Sequence, residues 1–228
     1  MKIGILQTGH VIDEVQAEMG DYADVFERLL GAQNFSFSRY WVVDGEFPKS
    51  AADADGWLLT GSRHGVYEDL PWIKPLEEFV REVHALGRPM VGICFGHQII
   101  AQALGGKVEK FDGGWAVGHQ DYAFTDGSTM RLNAWHQDQV TVLPKGATVT
   151  ASNDFCKNAA FLLGDKIMTI QPHPEFDARM MQLLLTMRGP GIIPDHILKR
   201  ATEGLEIAND STAYSQRIID FFKEAQHG

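Results

Sequence analysis

Short apolar runs alternate with longer amphipathic ones along the chain. Lys2–Leu6 reads as a first strand and Val15–Leu30 as a helix that stops near Gly31. "FSFSRYWVV" (Phe35–Val43) and "GWLLT" (Gly56–Thr60) read as further strands. Pro71–Leu86 carries apolar residues at Leu76, Phe79, Val80, Val83 and Leu86, with proline in its first turn and Gly87 at its end, which predicts a helix. Met90–Cys94 is a continuous apolar run, as in a strand covered on both faces, and Ile99–Leu104 predicts a helix closed by Gly105-Gly106. The second half is richer in strands: "WAVGHQDYAFT", "RLNAWHQDQVTVLP", "ATVTAS" and "NAAFLLGDKIMTIQPHPEF". Helical segments follow from Asp177, Pro194 and Thr212. Strands that alternate with helices predict an α/β fold with a mainly parallel central sheet. "RGPGIIP" (Arg188–Pro194) reads as a hinge between a main domain, residues 1–190, and a small C-terminal helical appendage, residues 191–228.

Composition narrows the function classes. The 228 residues are 44% hydrophobic and 22% charged, enough to bury a large core without a disulfide or structural metal. Twenty basic against thirty acidic residues give a formal charge of −10, which repels nucleic acid and anionic membranes, so neither is an expected partner. No run approaches the roughly 18 apolar residues of a membrane span. "MKIGILQTG" resembles a first strand more than a signal peptide, and two cysteines make no disulfide framework; a reduced, cytoplasmic setting is expected.

One of those cysteines, Cys94, sits in "GICFG" between the buried strand and the helix that follows. G-x-C-x-G at that junction has the mechanics of a nucleophile elbow: a sharp turn lifts the side chain above the sheet edge, and glycines leave room for neighbouring backbone. The helix N-terminus then favours a thiolate, and the Phe95 N–H can face an oxyanion. A buried structural cysteine is the alternative, and it is the reading for Cys156. His97, one helical turn on, raises a metal reading, but two ligands do not complete a zinc site. A thiolate needs a base, and "TIQPHPEF" offers His173 with Glu175 two residues on. The flanking prolines predict an extended segment in which both side chains point the same way. By itself "HPE" also fits a proline-rich turn with exposed charges. The N–H of Gly61, past the strand ending at Thr60, is a candidate second oxyanion donor; an ordinary strand-to-loop turn fits Gly61 as well.

"PMVGICFGHQ" together with "QPHPEF" resembles the class I (triad) glutamine amidotransferase domain, over roughly residues 40 to 180. The resemblance implies a flavodoxin-like three-layer α/β/α fold. It also implies a Cys-His-Glu triad that hydrolyses the side-chain amide of glutamine through a γ-glutamyl thioester and releases ammonia. Carried over by position, Cys94 would be the nucleophile, His173 the general base and acid, and Glu175 the orienter. Gly61 and Phe95 would supply the oxyanion N–H groups, and Gln98 would contact the γ-glutamyl group. "AWHQDQV" resembles the family's substrate-edge segment and implies His136 and Asp138, with His119 a further candidate on the same rim. Gln137 departs from the glycine many members carry there. No metal or cofactor is expected.

Three functional readings follow. The first is a glutaminase subunit passing ammonia to a separate synthetase, since this chain has no room for a synthetase domain and carries no P-loop. The second is a γ-glutamyl peptidase or hydrolase acting on γ-glutamyl peptides or amines. The third is a non-catalytic binding or regulatory protein, against which an intact Cys94-His173-Glu175 set argues. The C-terminal residues would cover the acceptor side of the site or mediate homodimer contacts.

Overall fold

The computed structural model describes residues 1–31 and 35–227; Gly228, at the end of the expected appendage, lies outside them. The first half contains β1 (Lys2–Leu6), α1 (Asp13–Met19), α2 (Tyr22–Leu30), β2 (Ser36–Tyr40), β3 (Gly56–Leu59), α3 (Ile73–Ala85), β4 (Met90–Ile93) and α4 (Phe95–Ala103). The second contains β5 (Lys107–Lys110), β6 (Ala116–Phe124), β7 (Thr129–His136), β8 (Asp138–Val142), β9 (Ala147–Ser152), β10 (Ala160–Leu163) and β11 (Ile167–Ile170). Then come α5 (Ala178–Leu183), a π-helical turn (Leu184–Arg188), α6 (Asp195–Glu203) and α7 (Ser211–His227).

Among the described residues, nine strands form one sheet in the order β2-β1-β3-β4-β11-β10-β9-β6-β7. The first five run parallel. From β11 outward each neighbour is antiparallel. β5 and β8 form a separate antiparallel ribbon whose Val108 and Val140 join the core around α4. The parallel strands are short and apolar because helices cover both faces. Alternation sorts their side chains: Trp57, Leu59 and Met90 meet α3 and α4, while Leu58, Val91 and Ile93 join Phe26 and Leu30 of α2 on the other face. This is the three-layer, flavodoxin-like α/β/α arrangement.

Three local expectations change. The single helix over Val15–Leu30 is two, because Gly20 takes φ 77° and Asp21 caps α2, accepting from the Tyr22 N–H at 2.9 Å. β2 stops at Tyr40, since residues 42–44 coil into a 3₁₀ turn closed by Gly45 at φ 85°. α4 starts at Phe95, directly after the cysteine, rather than at Ile99. The C-terminal helices are not hung from a hinge. α7 places Tyr214, Ile218, Ile219 and Phe222 in the same core as Ile3, Ile5 and Leu58, and α6 buries Ile197 and Ala201 beside Val117 of β6. The helices after residue 190 therefore share the apolar cores of the rest of the chain.

Candidate active site

The ends of four adjacent parallel strands, β1, β3, β4 and β11, deliver the candidate residues to one edge of the sheet. Cys94 follows β4 at φ 52°, ψ −102°, the only positive φ outside glycine among the described residues. Three backbone hydrogen bonds hold it there: Cys94 N–H to Ile170 O at 2.8 Å, Gly96 N–H to Thr60 O at 3.1 Å and Gln98 N–H to Cys94 O at 3.0 Å. The flanking glycines are required by contact. A Cβ on Gly92 would stand 2.6 Å from the Gly96 carbonyl, and one on Gly96 would collide with Leu59 O. Strand and helix thus meet backbone to backbone, and the side chain between them is thrown clear.

His173 and Glu175 come from the turn after β11. The segment bends after His173, where the Phe176 N–H reaches the His173 carbonyl at 3.4 Å, so it is not extended throughout as the prolines suggest. The pair forms nonetheless, with His173 Nδ1 2.7 Å from Glu175 Oε1. Both side chains are buried, and Glu175 Oε2 has no hydrogen-bond partner. A buried carboxylate held by so few donors strongly favours a positive imidazole beside it. Burial alone would lower the His173 pKa, but the charges of Glu175 and the adjacent Cys94, and hydrogen bonds to both, raise it well above the ordinary histidine value. The ring stacks on Phe176 with centroids 3.9 Å apart and planes 8° apart.

Gly61 lies close to both candidate side chains: a Cβ there would be 2.9 Å from His173 Cε1 and 3.7 Å from Cys94 Cβ. The Thr60 carbonyl accepts from Gly96 N–H and from Thr8 Oγ1 at 3.0 Å, which fixes the plane of the Thr60–Gly61 peptide. In a trans peptide the N–H opposes the carbonyl, so the Gly61 N–H is aimed by the same bonds. The Phe95 N–H, in the first turn of α4, has no intrahelical acceptor.

Gln98, His136 and Asp138 form one wall. Gln98 Nε2 donates to the Asp138 carbonyl at 3.1 Å and to Gln171 Oε1 at 3.0 Å, and His136 Nδ1 lies 3.2 Å from the same Asp138 carbonyl. The Asp138 carboxylate accepts from the Tyr67 hydroxyl, and burial raises its pKa. All three residues, with Cys94, line a cavity of about 850 Å³. Burial pushes His136 down to about 3, leaving it a neutral imidazole.

Two further histidines raised by the sequence lie elsewhere. His119, on β6 opposite Asn133, lies outside the cavity lining; its Nδ1 would be 3.9 Å from a Cβ on Gly204 at the end of α6. His97 points into the core, its Nδ1 2.8 Å from Thr169 Oγ1 and its ring against Phe161. Among the described residues no cluster of His, Cys, Asp or Glu is arranged to hold a metal. Likewise none of their helices is long and apolar enough to cross a membrane.

Sequence reasoning missed Asn133. Its carbonyl accepts from the His173 N–H at 2.8 Å, and its Nδ2 donates to the Phe176 carbonyl at 2.9 Å, so one buried residue of β7 clamps the turn that carries His173 and Glu175. A polar residue inside the apolar run "LNAW" is the signal, because a buried amide needs partners.

Comparison with known proteins places the chain among related sequences and folds. The family model for glutamine amidotransferase class-I matches residues 28–186. Gamma-glutamyl peptidase 4 of Arabidopsis thaliana is 32% identical over 91% of this chain and 89% of its own length. A glutamine-hydrolysing GMP synthase from Aromatoleum aromaticum is 37% identical over 58% of this chain and 27% of its own length. In fold, the chain is similar to a glutamine amidotransferase from Thermotoga maritima, with TM-score 0.79, 22% identity and 99% of both chains covered. With a family model spanning both the elbow and the strand-end His173 turn, the chain belongs to the class-I glutamine amidotransferase family.

Proposed function

We propose that this protein hydrolyses the γ-glutamyl bond of γ-glutamyl peptides or related γ-glutamyl compounds. The observation that carries the reading is Cys94, on its turn at a helix N-terminus, set against the buried His173–Glu175 pair. The Cys94 thiolate attacks the γ-carbonyl. Its oxygen becomes an oxyanion facing the N–H groups of Gly61 and Phe95, each worth roughly 3–4 kcal/mol in such a site. His173, holding the proton, gives it to the leaving nitrogen as the C–N bond breaks, and an amine departs from a γ-glutamyl thioester. His173 then takes a proton from water, the hydroxide adds to the thioester carbonyl, and glutamate leaves as the C–S bond breaks. Glu175 holds the imidazole in its tautomer throughout, while Gln98, His136 and Asp138 face the glutamyl part.

The cavity supports a leaving group larger than ammonia. It is lined by Gln98, Asp138, Cys94, the β1–α1 loop and Arg188, and its volume of about 850 Å³ lies in the upper part of the roughly 300–1,000 Å³ range of small-molecule sites. The gamma-glutamyl peptidase relatives point the same way. A second reading, a glutaminase feeding ammonia to a separate synthetase, draws on the GMP synthase relatives. Glutamate release from γ-glutamyl dipeptides and from glutamine, by wild type and Cys94→Ala, tests both. The expected result is peptide cleavage exceeding glutamine cleavage, lost in Cys94→Ala. Glutamine as the better substrate, accelerated by a partner protein, would support the second reading, and no release from any γ-glutamyl compound would defeat both.

A further inference from the structure

The cavity has two unlike walls. The Gln98–His136–Asp138 wall is interlocked by its own hydrogen bonds and by the Tyr67 hydroxyl. Another part of the lining is the β1–α1 loop together with Arg188 and Ile192, from the segment after α5. Arg188 ends the π-helical turn, in which the Gly189 N–H reaches back five residues to Leu184 O at 2.9 Å. Such a turn inserts an extra residue and re-aims the side chains after it. Leu184 and Leu185 stay buried while Arg188, half-buried, borders the cavity.

Its guanidinium makes no hydrogen bond and no ion pair with any described residue. Of the four other half-buried arginines, three are held by carboxylates, Arg39 by Asp24 and Glu27, Arg131 by Asp121, Arg217 by Asp126, and the fourth, Arg88, does not line the cavity. Asp13 and Glu14 share the cavity rim with Arg188 but do not close on it. A half-buried guanidinium with five unused donors is a ready receptor for a carboxylate. Its place relative to the chemistry is also defined. Arg188 lines the same cavity as Cys94, on a different stretch of chain from Gln98, His136 and Asp138, the residues assigned to the glutamyl part, which leaves it for the leaving group.

We propose that Arg188 binds a carboxylate carried by the leaving amine, so that the preferred substrates are γ-glutamyl amino acids and short γ-glutamyl peptides rather than glutamine or γ-glutamyl amines. The inference rests on the γ-glutamyl hydrolase reading above. Its test compares kcat/KM for γ-glutamyl-alanine with that for γ-glutamyl-alaninamide, which differ in the leaving group's charge, in wild type, Arg188→Gln, Arg188→Lys and Arg63→Gln. The ratio is internal to each protein and does not depend on the fraction folded. Wild type should prefer the free acid by about 10- to 100-fold, the range of a charged hydrogen bond. Arg188→Gln should bring the ratio near one, Arg188→Lys should keep part of it, and Arg63→Gln, at an exposed residue of the cavity rim, should keep all of it. Cleavage of both substrates without preference, or a preference that survives Arg188→Gln or vanishes in Arg63→Gln, overturns the role of Arg188 and leaves the hydrolase reading standing. Absence of any glutamate release by wild type defeats that reading, and this inference with it.

Discussion

The two cysteines are both buried, and only their surroundings separate them. Cys156 sits in a loop pinned by Asn153, whose Oδ1 accepts from the Cys156 N–H at 2.7 Å, and burial pushes its thiol up to about 12. Cys94 is at a helix N-terminus, beside an imidazole that Glu175 holds positive. Low exposure makes one thiol inert, whereas the same low exposure around the other strengthens every charge interaction within reach. Reactivity here is a property of what shares the buried space.

The sharpest break of that contrast is Cys94→Ala, expected to lower turnover by roughly 10⁴-fold or more, as for loss of other triad nucleophiles. Single-turnover glutamate release on a γ-glutamyl dipeptide checks it. Next comes Glu175→Gln, which removes the charge and spoils the tautomer; kcat should fall by about 10²–10⁴-fold. The same variant carries a pH signature. A raised native pKa at His173 contributes stability that is fully present below about pH 6.5 and is lost as pH rises through the native value. Wild type should therefore lose Tm across that window while Glu175→Gln shows a flatter profile, and the alkaline limb of kcat/KM should move down in the variant. Matching profiles for the two proteins would show that Glu175 does not set the charge of His173. Asn133→Ala acts a step further out. It frees the Phe176 carbonyl, costs about 1–3 kcal/mol of stability in denaturant titration, and should reduce kcat about tenfold with little change in KM. Smallest is Cys156→Ala, which should keep activity within about twofold and cost about 1 kcal/mol.

What could be read from the sequence was what is local. Cys94 between two glycines, and His173 two residues from Glu175, carry their geometry in their spacing, and both arrangements form. "MGDY" also holds a helix stop and a cap, masked by the amphipathic pattern that continues across it. The place of His119 has another origin: it lies three residues along β6 from Ala116, the partner of His136, and near the end of α6, and strand pairing is set by contacts that no window of sequence contains. The Asn133 clamp spans forty residues of chain and joins a strand to a turn, so the amide announced only that it needed partners. In α7 the apolar spacing of Tyr214, Ile218 and Phe222 was visible, but not that the face it makes covers β1 and β3.

The backbone at Cys94 sets folding and chemistry against each other at one residue. Its φ of 52° with ψ of −102° belongs to territory that glycine enters freely and other residues enter at about 1–3 kcal/mol. A chain selected only to fold would place glycine there. Cys94→Gly is thus expected to melt no lower than wild type while losing the proposed activity, and directed evolution for thermal robustness without an activity screen would drift toward losing this cysteine.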